Sequence, residues 1–515
     1  MRSSARSARA RATSPEIALV ALAMAGLAFW FVIGLPWGPH NESFDWIVRL
    51  EQRTLWGALF ERFPSVLSMR PLGTGPAWVL YRLGGHDVGL VEVVNAMLAL
   101  LAWGWAASGA RERRLFALFA LVSGGVFITG YIWVFHLHGI FYGPLLLYLA
   151  ALARSASDPL DLRTLLGVFV GALVTALAHP YALPLVIAFV AGATLETPML
   201  RSRSGAAALG VVLSGSIAAY FLIVPSGNRG IPGDPFVGLI QSYRTLEVNA
   251  VGAAVAAALA AWTASRLWTG AGGIVAALAT VAVAVAATVA GLPVLPLWFA
   301  WAALKCVRRE RWMLAALVVA CALLPIPNPT GSPTYGVCAV FIAAFASALD
   351  EPSMDGVLHV LDGRAAAGLV TLLLAVAVTV RLGVPVPVIS KLAAPLLAEG
   401  ERTRQIEVLV ARLMDSPWRG EPARFVRSAQ SPAEADALDR RFRPPTDDHH
   451  LATWLDWKRR GPPTGADTLR FGFGGDAPAG MDTLFIAHGR YAGDALVLRR
   501  SSVPVSADSI TIVER

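Results

Sequence analysis

The sequence predicts a polytopic α-helical membrane protein with a small soluble α+β domain at its carboxyl end. Hydrophobic residues fill 56% of the 515 positions and charged residues only 15%, whereas soluble domains carry about a quarter charged residues. The apolar residues form long runs separated by short loops, and a polar stretch, 387–515, follows the last run. These three observations exclude a soluble enzyme.

The net charge of +8 does not indicate a nucleic-acid partner, because many of the basic residues lie in short loops between apolar runs. Basic residues in such loops set the orientation of the spans and contact anionic lipid headgroups of the bilayer. The three cysteines lie in or beside apolar runs, so we predict neither a disulfide framework nor a cysteine metal site.

Apolar runs of near-spanning length predict about 13 transmembrane helices, some of them short. The predicted spans are Ile17 to Leu35, Val88 to Ser108, Leu115 to Tyr131, Gly139 to Ala153, Leu162 to Ala178, Tyr181 to Leu195, Gly205 to Val224, Ala250 to Leu267, Gly273 to Ala290, Leu292 to Leu304, Trp312 to Leu324, Tyr335 to Leu349 and Ala366 to Val386. Leu72 to Leu83 is apolar but short and interrupted by Pro76 and Arg82, so we place it outside the membrane.

This assignment gives one consistent orientation in a plasma (inner) membrane. Four arginines precede the first span, so the amino terminus is predicted to be cytoplasmic. The loops at His136, His179 and Asn328 contain neither Lys nor Arg and fall outside. The alternative is that the span count is off by one between Gly291 and Arg311. The basic residues around Arg308 would then lie outside.

Two domains follow from this topology. Residues 1–386 form the membrane domain, with a first outer loop at 36–87, and residues 387–515 form an extracytoplasmic domain. The latter is predicted to contain a helix, Glu401 to Met414, and the strands Thr468 to Phe473, Thr483 to Ala487, Ala495 to Arg499 and Ser509 to Val513. The acids and imidazoles of Arg443 to His450 lack a diagnostic ligand spacing, so we predict a solvated loop and no metal site.

The first outer loop contains the sequence His40-Asn41-Glu42-Ser43-Phe44-Asp45-Trp46 and, further along, Arg70-Pro71-Leu72. From Phe44 onward, apolar positions recur at helical spacing, while Asp45, Arg49 and Arg53 fall on the other side. This pattern predicts a helix that lies along the membrane surface with Asp45 toward an aqueous cleft.

These features together resemble the GT-C membrane glycosyltransferases, which include protein O-mannosyltransferases and the aminoarabinose transferase of lipid A. The matching residues are Glu42 and Asp45, Arg70-Pro71-Leu72, Gly84-Gly85-His86 and Asn95. At motif level the resemblance covers the first hundred residues, and beyond them it covers topology alone. Where family members often carry a second acid in the next outer loop, this chain has His136 and His138.

The resemblance implies transfer of a sugar from a polyprenyl-phosphate-linked donor to an acceptor hydroxyl on a glycan, lipid or protein. Asp45 would then act as the catalytic base and Arg70 would bind the donor phosphate. Glu42 would assist catalysis or hold a divalent cation, the one cofactor considered. The alternative is that Asp45 and Arg49, spaced i, i+4, simply pair on an exposed helix face.

Other polar residues predicted at the outer face are candidates for substrate binding: His40, His136, His138, Arg229, Tyr243, Arg244 and Tyr335. The loop Pro225 to Asn249 could close over the cleft as a lid. Alternatively, its charged residues are simply exposed to solvent. The rival function is a multi-span transporter or a flippase for lipid-linked sugars. Such proteins place ionisable groups near mid-bilayer and show internal repeats, and we find neither pattern in this sequence.

Overall fold

The computed structural model is mostly helical and ends in a small sheet. The residues it describes are 20–29, 43–60, 70–110, 116–117, 119–122, 141–157, 160–197, 200, 202–224, 235–247, 250–326, 333–348, 372, 375, 379, 387–425, 448–465, 467–473, 481–490, 493–500 and 511–513.

The helices of the membrane domain follow the apolar runs of the sequence. They are α1 (Val20–Phe29), α2 (Ser43–Gln52), α3 (Leu55–Phe60), α4 (Pro71–Leu83), α5 (Gly89–Gly109), α6 (Tyr142–Ser155), α7 (Leu162–Ala176), α8 (Ala182–Glu196), α9 (Arg203–Ile223), α10 (Pro235–Leu246), α11 (Ala250–Ser265), α12 (Ala271–Val289), α13 (Leu295–Arg308), α14 (Trp312–Leu323) and α15 (Pro333–Ser347).

Among the described residues, three helices are long and apolar enough to cross a membrane, namely α5, α9 and α12. Others, such as α8 and α14, are apolar but shorter. Ten of the predicted spans coincide with these helices to within a few residues. Two more are described only in part, Ile17 to Leu35 at 20–29 and Leu115 to Tyr131 at 116–117 and 119–122, and those residues are helical. The last predicted span, Ala366 to Val386, lies almost wholly outside the described residues.

The surface helix predicted after Phe44 is two helices, α2 and α3, and this corrects the sequence-based expectation. Thr54 causes the break, because its hydroxyl accepts the backbone N–H of Gly57 at 3.1 Å and so caps a new helix. The short segment predicted outside the membrane forms α4, which has Pro71 in its first turn and Pro76 inside.

Close backbone contact and buried polar groups hold the membrane helices together. Gly192 of α8 faces the backbone of Trp312 and Met313 at the start of α14, where a Cβ atom would clash. At the far end of α15, the buried Lys305 donates a hydrogen bond of 2.7 Å to the carbonyl oxygen of Ser347. A cation at the last carbonyls of a helix is a favourable C-terminal cap.

The C-terminal domain begins with the long helix α16 (Pro387–Met414), which the sequence predicts only from Glu401. It continues through β1 (Ala423–Phe425), α17 (Asp448–Arg459), β2 (Leu469–Phe473), β3 (Met481–Ala487), β4 (Ala495–Arg500) and β5 (Thr511–Val513). The sheet order is β1-β2-β4-β3-β5, with the outer strands β1 and β5 parallel to their neighbours. The four predicted strands are confirmed, and β1 is an addition.

The two domains share elements. In α16, Leu397 belongs to the core of the membrane domain, whereas Ile406 belongs to the core of the C-terminal domain. In α2, Ile47 and Leu50 pack into the membrane domain, and Val48 packs into the C-terminal core. The helix that carries Asp45 is therefore packed between both domains.

Two predicted loops contain helices instead. The segment Arg443 to His450, predicted as a solvated loop, already enters α17 at Asp448. The outer loop Pro225 to Asn249 contains α10, whose residues Tyr243 and Leu246 are buried in the core of the membrane domain. Apolar side chains at helical spacing explain α10, because they bury one face of it.

Candidate active site

Arg70 stands immediately before α4, and Pro71 starts the helix. Its carbonyl oxygen accepts the backbone N–H groups of Gly73 and Thr74, both at 2.9 Å. The N–H of Leu72 donates to the carbonyl oxygen of Leu177 at 3.1 Å, which ties this helix start to the end of α7. The backbone of Arg70 is thus fixed beside the turn between α7 and α8.

A cluster of aromatic rings, which we call the aromatic cluster, lies next to Arg70. It consists of Phe141, Tyr142, His179, Tyr181 and Tyr335. The Arg70 guanidinium carbon lies 4.7 Å from the centroid of the Phe141 ring. The ring centroids of Tyr142 and His179 are 4.9 Å apart, and those of Tyr181 and Tyr335 are 4.8 Å apart.

Ring contacts and charge join the cluster into one unit. The centroid of the Tyr335 ring lies 5.9 Å from that of Tyr142 and 5.9 Å from that of His179. Arg70 is close enough to Tyr181 and Tyr335 for its charge to act on both hydroxyls. Phe141 and His179 are fully buried, so these contacts lie in a region of low dielectric, where electrostatic attraction is stronger than in water.

The cluster forms where helix ends meet. Tyr142 begins α6, His179 and Tyr181 form the turn before α8, and Tyr335 lies in the first turn of α15. From the sequence, these ends are predicted to lie next to three loops on the outer face, those at His136, His179 and Asn328. The structure brings the three ends together beside Arg70.

This arrangement has the chemistry of a phosphate and sugar site. A guanidinium presents a planar fork of N–H donors that matches phosphate oxygens. Phenol hydroxyls can donate to the same oxygens or bind the hydroxyls of a sugar, and aromatic rings supply apolar surface. Arg70 supplies a positive group beside the aromatic cluster, whose members are three phenols, a phenyl ring and an imidazole.

Of the residues predicted from sequence, Arg70 and Tyr335 are brought together in this cluster. Asp45 lies in the first turn of α2, and its side chain is outside the described part of the structure. The other predicted residues of the outer loops lie outside the described residues: His40, Glu42, His136, His138 and Arg229.

Tyr243 and Arg244 have other neighbours. The Tyr243 hydroxyl donates to the carbonyl oxygen of Ala322 at 2.6 Å, and its ring packs on Phe299 at 5.3 Å between centroids. The Arg244 guanidinium lies beside Gly291. The Tyr243 contacts hold α10 against α13 and α14, so the structure gives Tyr243 a packing role.

Tyr142, His179 and Tyr181 are not among the site residues predicted from the sequence. A signal was present, because all three lie at ends of predicted spans on the side assigned to the outer face, as Tyr335 does. Tyrosines at span ends are also common as interfacial anchors, so this signal alone does not indicate a site. In the described part of the chain, no group of three or more His, Cys, Asp or Glu side chains could hold a metal ion.

Comparison with known proteins gives a structural likeness. No protein-family model matches the chain, and no curated protein does. A similar solved structure is the crystal structure of ArnT from Cupriavidus metallidurans bound to undecaprenyl phosphate. ArnT is a GT-C lipid A aminoarabinose transferase.

This likeness covers 93% of the present chain and 97% of the ArnT chain, with a TM-score of 0.43 and 15% sequence identity. The resemblance stated from the sequence names the same type of transferase. The function proposed below rests on the residues of this chain.

Proposed function

We propose that the chain is an integral-membrane glycosyltransferase that moves a sugar from a polyprenyl-phosphate-linked donor to an acceptor hydroxyl at the outer membrane face. The observation that carries this proposal is Arg70 beside the aromatic cluster, at the meeting point of outer helix ends. A lipid-linked donor reaches such a site from the bilayer, and its phosphate needs a cation there.

In this mechanism Arg70 binds the donor phosphate and stabilises the charge that develops on it as the sugar–oxygen bond breaks. Asp45 takes the proton of the acceptor hydroxyl as that oxygen attacks the anomeric carbon. Tyr142, Tyr181 and Tyr335 orient the donor through their hydroxyls. The products are the glycosylated acceptor and the free polyprenyl phosphate.

The distribution of charge supports a transferase over a transporter. In the described helices assigned to the membrane, the charged residues fall in first or last turns, for example Glu92 of α5, Arg154 of α6 and Lys305 of α13. A transport path usually needs ionisable groups near mid-bilayer. Polar residues gathered at one face suit chemistry at an interface.

The test compares two arginines that stack on aromatic rings in the same way. Arg70→Lys keeps the positive charge but removes the planar fork, which costs about 1.5–3 kcal/mol for one charge-assisted hydrogen bond. We expect kcat/KM for the polyprenyl-phosphate sugar to fall roughly ten- to hundredfold.

Arg308→Lys is the matched control, because the Arg308 guanidinium carbon lies 4.8 Å from the Trp268 ring centroid at the other end of the membrane helices. Arg308→Lys should keep kcat/KM within about twofold of the wild-type value. Equal activity of Arg70→Lys and the wild type would leave Arg70 only an anchoring role at the membrane interface.

A further inference from the structure

A hydrogen-bonded group of four residues joins α2 to the end of α4. Glu51 of α2 accepts a hydrogen bond of 2.8 Å from the Tyr81 hydroxyl, and His86 Nδ1 contacts the same carboxylate oxygen. Arg82 completes the group through an ion pair of 3.3 Å with the other oxygen of Glu51. We call these four residues the Glu51 group.

The backbone after α4 is shaped to deliver His86 to this group. Gly84 ends the helix, Gly85 follows with φ of 71°, and the His86 N–H donates to the carbonyl oxygen of Tyr81 at 3.0 Å. A residue with positive φ and a hydrogen bond to the carbonyl five residues earlier form a common helix end. The sequence Gly84-Gly85-His86 therefore ends α4 in a turn that brings His86 back to Glu51.

The burial and the protonation states of the Glu51 group suit a permanent link between α2 and α4. Tyr81 is 1% exposed. Partial burial acts to raise the pKa of Glu51, but hydrogen bonds from His86 and Tyr81 and the charge of Arg82 together hold that pKa below its ordinary value. Burial, together with the hydrogen bond to Glu51, raises the pKa of Tyr81. The carboxylate therefore remains ionised and the phenol remains a donor at neutral pH.

Resting on the proposed function, we infer that Glu51 and Tyr81 are positioning residues that fix Asp45 relative to Arg70. Asp45 and Glu51 lie on one helix, and Arg70 and Tyr81 lie at the two ends of another. Asp45 is six residues from Glu51, about 9 Å along the helix axis. A tilt of about 10° at Glu51 would move the Asp45 backbone by about 1.5 Å, and a misplacement of about 1 Å can cost about 10²-fold in rate.

The test uses Tyr81→Phe and Glu51→Gln in the full chain, with a polyprenyl-phosphate sugar as the substrate. For each variant we expect kcat to fall about tenfold or more, with KM for the donor unchanged, because the group orients Asp45 and does not touch the donor. The double variant should lose less than the product of the two single losses, because Tyr81 and Glu51 act through the same hydrogen-bonded group.

Matched controls exist elsewhere in the chain. Tyr148→Phe removes a buried hydroxyl that donates to the carbonyl oxygen of Val168 at 3.0 Å. Glu196→Gln alters a carboxylate that pairs with Arg311 at 3.5 Å. Both controls should keep kcat within about twofold. An equal loss in the controls, or a changed KM with an unchanged kcat, would overturn the inference.

A distance measurement tests the inference without activity. Spin labels on cysteines placed at Asp45 and Leu83 report how α2 lies relative to α4, and Tyr81→Phe should broaden or shift their distance distribution. An unchanged distribution together with a lower kcat would contradict a positioning role. A wild-type protein that consumes no donor would instead overturn the proposed function, while the distance would still show whether the Glu51 group holds α2.

Discussion

Replacing Val48 by alanine should loosen the C-terminal domain from α2. Val48 is 4% exposed and packs in the C-terminal core with Leu451, Trp454 and Leu455 of α17. The substitution removes two buried methyl groups, which costs about 2 kcal/mol when the lost transfer free energy and the small cavity are combined. The population in which α17 separates from α2 should therefore rise roughly 30-fold.

Hydrogen–deuterium exchange on the protein in lipid nanodiscs measures this opening. In Val48→Ala, the backbone amides of α17 that are protected by the contact should exchange roughly 30-fold faster. Ile47→Ala is the control, because Ile47 packs into the membrane domain, and it should raise exchange in α2 more than in α17. Unchanged exchange of α17 in Val48→Ala would refute the contact between α2 and the C-terminal domain.

Two further predictions concern charge and topology. Burial first, and then the charges of Asp87 and Glu92, raise the pKa of Glu407 to about 7 from an ordinary value of 4.5. The folded protein then binds a proton that the unfolded chain has released, so stability should fall as pH rises from about 4.5 to 7. The midpoint temperature of thermal unfolding should be higher at pH 5 than at pH 8. In Glu407→Gln this difference should be smaller, and a difference as large as in the wild type would contradict the prediction. Single cysteines at Gly85 and Ser108 should label from opposite sides of the membrane, because α5 lies between them; labelling from one side would overturn the topology.

Much of the fold could be predicted because apolar runs and alternating patterns are local signals. The helix α5 and the strand β4 start and end within about a residue of their predicted bounds. The hydroxyl of Thr54, which splits the surface helix, is also a local feature, but its capping role competes with a continuous apolar stripe.

The candidate site could be predicted only in part, because it forms through contacts between distant parts of the chain. Position and motif predict Arg70 and Tyr335 as site residues, yet their proximity depends on how α4, α8 and α15 pack. Tyr142, His179 and Tyr181 have the same appearance in sequence as interfacial anchors. The parallel pairing of β1 with β2 is likewise invisible in the sequence, since residues 426–468 separate the two strands.

Consumption of a polyprenyl-phosphate sugar by Asp45→Asn tests the central claim most directly. The amide keeps the size of the side chain but cannot take the proton of the acceptor hydroxyl. Turnover should therefore fall about a hundredfold or more, while folding and donor binding survive. Glu42→Gln is the control within the same loop and should retain more activity. Full turnover in Asp45→Asn with loss in Glu42→Gln would mean that Glu42 is the base, and full turnover in both variants would contradict catalysis at this loop.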